Sequence, residues 1–203
     1  LVPNYGERPT VFVASSGTMR LFLRSDNGGH TWVSARNGMR GAELFEFEVA
    51  PDWKQSSAIY AVLGRSGLQR STDGGQSWEV LAKGYWIHVA LAPTAPDGRQ
   101  TLFYASGTAI RRSDDGGASS THVLGNLPAE SSITTVAVSP GYWTDKTVVV
   151  GTRDKRVLFS HDAGKTWRGT EVSGVPQRVA LSPQFATDAT LWVATHGASV
   201  IKT

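Results

Sequence analysis

The octapeptide STDGGQSW, Ser71 to Trp78, has three relatives in the same chain: SDNGGHTW (Ser25 to Trp32), SDDGGASS (Ser113 to Ser120) and SHDAGKTW (Ser160 to Trp167). The leading serines stand 46, 42 and 47 residues apart. A fixed period in this range marks a repeat architecture and outranks any single-residue signal. A second landmark, Pro-x-aromatic followed by a β-rich run, keeps the same step. Its prolines are Pro3, Pro51, Pro93, Pro140 and Pro183, spaced by 48, 42, 47 and 43 residues.

One period resolves into four short strands. In the fourth repeat these are the apolar run Thr134 to Pro140, the buried-type run Thr147 to Thr152, then Arg156 to Ser160 and, after the octapeptide, Thr166 to Val172. Polar loops separate them, and no stretch carries a helical period. Four strands per 42–47 residues is the pattern of a propeller blade. The expected fold is therefore all-β, a β-propeller of four-stranded antiparallel blades forming a partial or open ring. The blades are residues 1–37 (partial), 38–83, 84–127, 128–173 and 174–203 (partial). In this register Leu1-Val2-Pro3 closes an innermost strand and Thr203 takes the serine position of a fifth octapeptide. A chain that opens on Leu1 without Met or leader reads as a processed form or a piece of a longer ring.

Each residue of the octapeptide suits a hairpin turn between third and fourth strands. The aspartate at its third position accepts bonds from nearby amides, as in Asx turns. Glycine supplies positive φ without steric cost. The closing tryptophan is expected to be largely buried, anchoring the outer strand against its own sheet. Asn27 replaces the aspartate in the first copy. Ser120 replaces the tryptophan in the third, which predicts a looser outer edge there.

Composition excludes more than it selects. There are no cysteines, so disulfides, thiolate metal sites and a cysteine nucleophile are excluded. The net charge of +3 comes without a basic cluster, so nucleic acid is not an expected partner. No run of 18 or more apolar residues is present, so no membrane span is expected. The histidines, His30, His88, His122, His161 and His196, lack metal-ligand spacing, and no metal or cofactor is expected. The glycine-rich turns join strand to strand without a following helix or GK[ST], unlike phosphate loops. No serine sits in a GxSxG elbow.

The octapeptides resemble the Asp-box, or BNR, repeats of sialidases, sortilin-type receptors, xyloglucanases and photosystem-assembly propellers, along essentially the whole chain. The resemblance implies a β-propeller with the boxes on its outer rim, away from the functional face. It makes Asn27, Trp32, Asp73, Trp78, Asp115, Asp162 and Trp167 structural residues. It also implies an exported, extracellular or periplasmic location. A sialidase would further need an arginine triad, a Tyr–Glu pair and an acidic aspartate, and the Arg-Ile-Pro motif that carries the first arginine is absent.

Binding candidates are the residues that break the repeat. Glu46, His88, Thr135 and Arg178 share one register position at the start of the innermost strands, close to the axis. Glu48 stands where the other repeats have Ala90, Ala137 and Ala180, so its carboxylate must find a partner or open onto solvent. Tyr5, Trp53, Tyr142 and Phe185 recur after the landmark prolines and read as plugs beneath loops. Tyr85 and Trp86 do not recur, and an exposed Tyr-Trp pair suits a sugar ring or a partner's side chain. Topology puts the loops entering the inner strands on one face with the turns at Arg65, Arg153 to Lys155 and His196. Tyr85, Trp86, His88, Arg153, Arg178 and Glu46 are the expected contact residues.

Three functions remain. The first is a non-enzymatic binding or scaffold propeller engaging a protein or carbohydrate partner through one axial face. The second is a glycoside hydrolase of sialidase or xyloglucanase type; its carboxylates would come from Glu43, Glu46 and Glu48, all on one blade. The third is a structural subunit of a larger complex.

Overall fold

The computed structural model describes residues 9–15, 21–41, 43–125 and 127–197, together with the backbone of Ile201–Lys202. Tyr5 and Thr203 lie outside these residues. The chain divides into two compact units, Leu1–Val89 and Ala90–Thr203.

The first unit holds two antiparallel sheets. Sheet one is β1 (Val11–Ala14), β2 (Phe22–Ser25) and β3 (Val33–Ser34), in that order. Sheet two is β4 (Glu46–Val49), β5 (Ile59–Val62), β6 (Leu68–Ser71) and β7 (Glu79–Ala82). Strand β8 (His88–Leu91) begins sheet three at the division between the units, and β9 (Leu102–Ser106), β10 (Ala109–Ser113) and β11 (Thr121–Leu124) complete it. Sheet four is β12 (Ile133–Val138), β13 (Val148–Thr152), β14 (Arg156–Ser160) and β15 (Arg168–Glu171). Sheet five is β16 (Val175–Leu181), β17 (Leu191–His196) and β18 (Ile201–Lys202). Every sheet is a meander, the construction of propeller blades read from the period.

The second strands hold the sheets together. Val148, Val149 and Val150 are all fully buried, alternate residues serving the two faces of sheet four. Each such valine contributes roughly 1.5–3 kcal/mol of burial. Val148 and Val150 pack with Phe103, Ala105 and Ile110 of sheet three, and Val149 with Phe185, Leu191 and Val193 of sheet five. Phe12, Phe22, Trp53 and Ile59 form the equivalent cluster between sheets one and two.

The loops after the landmark prolines are more regular than polar loops. Where the aromatic is present among the described residues, they close as one helical turn: α1 (Trp53–Ser56), α2 (Tyr142–Asp145) and α3 (Phe185–Asp188). Each buries its first aromatic as a plug. Each ends on a non-glycine residue in the left-handed region, Ser57, Lys146 or Ala189. The Pro93 copy lacks the aromatic and forms no such turn.

The octapeptides are the expected hairpins, closed by short-range bonds. The leading serine hydroxyl takes the amide of the residue four on, as in Gly75 to Ser71 at 2.8 Å. Asp73 Oδ1 accepts from the amides of Gln76 and Ser77, both at 2.9 Å, and Oδ2 from the Ser77 hydroxyl. Asp115 and Asp162 accept the corresponding amide and hydroxyl of Ser119 and Thr166. Asn27 keeps the geometry by reversing one bond: Oδ1 accepts the Thr31 amide, while Nδ2 donates to the Thr31 hydroxyl at 2.8 Å.

The tryptophans overturn the expectation attached to them. They reach back to the preceding sheet, and Trp167 Nε1 also donates to the Gly164 carbonyl of its own box at 3.0 Å. Trp78 Nε1 donates to the carbonyl of Ala35 at 2.9 Å, and Trp167 Nε1 donates to that of Val123 at 2.9 Å. Both rings are half-buried, and Trp32 is 39% exposed. The reason is geometric: the ring is covered by the sheet before it, and no sheet precedes sheet one among the described residues. A second link runs the other way. Arg24 reaches forward to the carbonyl of Gly74, and Arg112 to that of Ala163. At Ser120 the missing indole is replaced by polar contacts, since the hydroxyl meets Tyr104 Oη at 2.6 Å and Arg111 Nε at 2.9 Å.

Candidate functional site: an aromatic notch at one end of sheet two

The registers Glu46↔Val62, Val62↔Leu68 and Leu68↔Ala82 define one end of sheet two, opposite its box hairpin. Phe45 precedes β4 at this end, Gly64 lies in the β5–β6 turn, and Tyr85 follows β7. Phe45 is 45% exposed and Tyr85 50%. Their rings stand edge to face, centroids 6.0 Å apart at 75°. Gly64 sits beneath both, with φ of 52°; a β-carbon there would lie 2.8 Å from Phe45 Cε2 and 3.4 Å from Tyr85 Cε2.

Backbone bonds fix this constellation. Trp86 and Gly64 exchange two amide–carbonyl bonds, each 3.1 Å, which tie the segment after β7 to the β5–β6 turn. The Trp86 ring is half-buried and donates from Nε1 to the carbonyl of Lys83 at 3.3 Å. On the other side, fully buried Gln69 clasps the loop that carries Phe45. Its Oε1 accepts the Arg40 amide at 3.0 Å and its Nε2 donates to the Arg40 carbonyl at 2.6 Å. Arg36 adds a bond to the carbonyl of Gly41. Arg40, Arg65 and Lys83 are exposed in the loops around the rings.

Behind the notch, Glu46 Oε2 accepts the Val89 amide at 3.0 Å and lies 3.4 Å from His88 Nδ1. Both side chains are largely buried. This carboxylate therefore joins two innermost strands. Glu48 is half-buried opposite Tyr60, in a row that continues through Arg70 to Glu79. Arg70 Nε donates to Glu79 Oε1 at 2.8 Å, and burial pushes the Tyr60 hydroxyl above its ordinary pKa.

The structure thus brings Tyr85, Trp86, His88 and Glu46 to one end of the first unit, and adds Phe45, which sequence reasoning missed. The signal was available: Phe45 stands in register with Ile87, Thr134 and Gln177, so it breaks the repeat as Tyr85 does. Arg153 and Arg178 belong to the second unit. Arg153 is exposed in the β13–β14 turn, its amide bonded to the Ser132 carbonyl at 2.8 Å. Arg178 is exposed on β16, paired in register with Ala194. Thr135 is buried, and His196 is exposed at the end of β17. A separate groove of about 480 Å³ lies at the box of sheet four, lined by Phe159, His161, Asp162, Thr166 and Arg168. Among the described residues no three His, Cys, Asp or Glu side chains are grouped to hold a metal, and no helix is long and apolar enough to cross a membrane.

Comparison with known proteins agrees with this architecture. Residues 69–80 match the BNR/Asp-box repeat. No curated protein matches the chain. Among solved structures, YCF48 bound to D1 peptide superposes with a TM-score of 0.63 at 13% identity, over 95% of this chain and 60% of that one. The GH74 xyloglucanase from Xanthomonas campestris gives 0.67 at 17% identity, over 95% of this chain and 34% of that one. A chain of the nidogen/laminin complex gives 0.68 at 12% identity, over 96% and 71%. The chain therefore spans about 60% of the YCF48 chain and about a third of the xyloglucanase. Its fold is that of β-propeller blades, and the stretch 69–80 is similar to the BNR/Asp-box repeat.

Proposed function

We propose that this protein is a non-enzymatic binding propeller, exported from the cytoplasm, that engages a protein partner through the notch formed by Phe45, Tyr85 and Trp86. The observation that carries the reading is the exposed edge-to-face pair Phe45–Tyr85, held over Gly64 by backbone bonds. Two exposed rings on a fixed frame offer apolar area at low entropic cost, which is how interface hot spots are made. The edge-to-face angle makes a notch and not a flat platform, so an apolar side chain suits it better than a sugar ring. Exposed Arg40, Arg65 and Lys83 favour a segment that also carries carboxylates. Two of the similar structures are complexes, YCF48 with D1 peptide and nidogen with laminin. Arg153 and Arg178 are proposed as further contacts on the second unit.

The competing reading is a glycoside hydrolase, favoured by the likeness to GH74 enzymes. Against it, Glu46 is engaged by the Val89 amide and His88, and its fellow candidates Glu43 and Glu48 come from the same blade.

A displayed peptide library selected on the full chain tests the proposal, with a glycan array and a xyloglucan hydrolysis assay as the other arms. Selected peptides should lose about tenfold or more in affinity for Phe45→Ala or Tyr85→Ala, a difference of about 1.4 kcal/mol. They should be indifferent to Arg168→Ala at the groove of sheet four. Peptides that map to that groove, binding confined to glycans, or hydrolysis abolished by Glu46→Gln would overturn it.

A further inference from the structure

We infer that Asn37 is a site of spontaneous deamidation, and that the product loosens the loop presenting Phe45. The inference concerns a covalent change in the chain itself and holds whatever the notch binds.

The sequence has two Asn-Gly pairs, Asn27-Gly28 and Asn37-Gly38. In such a pair the glycine has no side chain to shield its backbone nitrogen. That nitrogen attacks the asparagine Cγ as its proton passes to the departing amide, which leaves as ammonia. A five-membered succinimide closes. Water then opens the ring at one of its two carbonyl carbons. One opening leaves aspartate. The other leaves isoaspartate, whose main chain runs through Cβ and is one atom longer. Water is the only co-reactant.

The fold treats the two pairs oppositely. Asn27 Oδ1 accepts from the Ser25 hydroxyl and the Thr31 amide, both at 2.9 Å, and Nδ2 donates to the Thr31 hydroxyl at 2.8 Å. The attacking atom is occupied as well, since the Gly28 amide donates to the Pro9 carbonyl at 2.9 Å. Ring closure there requires the box to open first. Asn37 and Gly38 are both exposed, in a turn closed by one bond from the Met39 amide to the Arg36 carbonyl at 3.1 Å. Among the described residues, neither the Asn37 side chain nor the Gly38 amide has a hydrogen-bond partner.

This exposure belongs to the connection between blades and not to where the chain begins. Lys83 and Gly84 hold the same places after Trp78 as Asn37 and Gly38 hold after Trp32, and both are exposed. Gly38 and Gly84 also share a positive φ, 76° and 128°. The Asn37 turn stands beside the loop clasp. Arg36 donates to the Gly41 carbonyl, and Gln69 holds both the amide and the carbonyl of Arg40. An extra main-chain atom at Asn37 falls between Arg36 and Arg40 and shifts one anchor against the other.

Ageing the full chain at mildly alkaline pH, with digestion at acidic pH and peptide mass spectrometry, tests this. The Asn37 peptide should gain one dalton and divide into aspartate and isoaspartate forms, the second labelled by an isoaspartyl methyltransferase. Asn27 should convert more slowly by about tenfold or more, because several hydrogen bonds must break first. In urea the two should convert at similar rates. Aged wild type should show quickened hydrogen exchange at Arg40. Asn37→Gln, aged alongside, should show neither change, since glutamine does not close the five-membered ring. An unconverted Asn37 would overturn the site. Equal rates at Asn27 and Asn37 in the folded chain, or a difference that survives in urea, would overturn the role given to the fold. Conversion with unchanged exchange at Arg40 would overturn the effect on the loop.

Discussion

The indole N–H of Trp78 is bonded to the backbone carbonyl of Ala35, 43 residues earlier and in the preceding sheet. Trp167 repeats the relationship with Val123. The box tryptophan is a joint between sheets, and its worth depends on whether there is a sheet to join.

Truncating the ring separates joined from unjoined copies. Trp78→Ala and Trp167→Ala should each lower unfolding free energy by about 3 kcal/mol, the low end for large aromatics because both rings are half-buried. Trp32→Ala should cost within about 0.5 kcal/mol, as exposed substitutions do. Trp78→Phe keeps most of the ring area and deletes the bond, for about 1 kcal/mol. Urea melts of the four variants check the order.

The boxes make the fold sensitive to acid. The hydroxyls and amides of Ser119 and Thr166 hold Asp115 and Asp162 at a pKa of about 2. At Asp73 burial pulls upward, but bonds from Ser77, Ser71 and Gln76 outweigh it and the value is again about 2. Unfolding returns each to about 3.9. Because the folded values are depressed, this stability is fully present above pH 4 and is lost as pH falls through 4 toward 2. Asn27 cannot titrate, so the first box contributes nothing to the loss. Urea midpoints measured from pH 6 down to pH 2 should fall, and Asp73→Asn should make the fall shallower. An equal slope in that variant would refute the assignment.

Gly64→Ala should disturb the notch. The φ of 52° disfavours a side chain by about 1 kcal/mol or more, and the added carbon would press on Phe45. Altered Phe45 and Tyr85 ring resonances, with little change elsewhere in the fold, are the expected NMR signature.

Gln69→Leu should loosen the loop that presents Phe45. It strips bonds from both the amide and the carbonyl of Arg40 and should destabilise by roughly 1–3 kcal/mol. Hydrogen exchange should quicken at Arg40, whose amide Gln69 holds, and not in sheet four.

The parts legible in the sequence were those made by residues close together along the chain. The Asp73 bonds reach no further than Ser77, so the box could be read from its own letters. The plugs Trp53, Tyr142 and Phe185 were legible because they recur. Their single helical turns were not, since four residues are too few to show a period. Contacts across sheets were also illegible. Nothing in SDDGGASS or SHDAGKTW states that an indole will look backward to Val123 or that Arg112 will look forward to Ala163. The candidate site was half-legible for the same reason. Tyr85 stood out by breaking the repeat, while its pairing with Phe45 required the chain to fold sheet two between them.

The backward indole and the forward guanidinium give each repeat the character of a carpenter's board, tongue on one edge and mortise on the other. Arg24 and Trp78 act across one seam, Arg112 and Trp167 across another, and in each case the two halves come from different copies of the same module. A module of this kind can be duplicated or deleted whole without redesigning its neighbours, since every cut removes one tongue and one mortise together. The number of blades then becomes a quantity that gene duplication can change in single steps, while the letters of the box stay as they are.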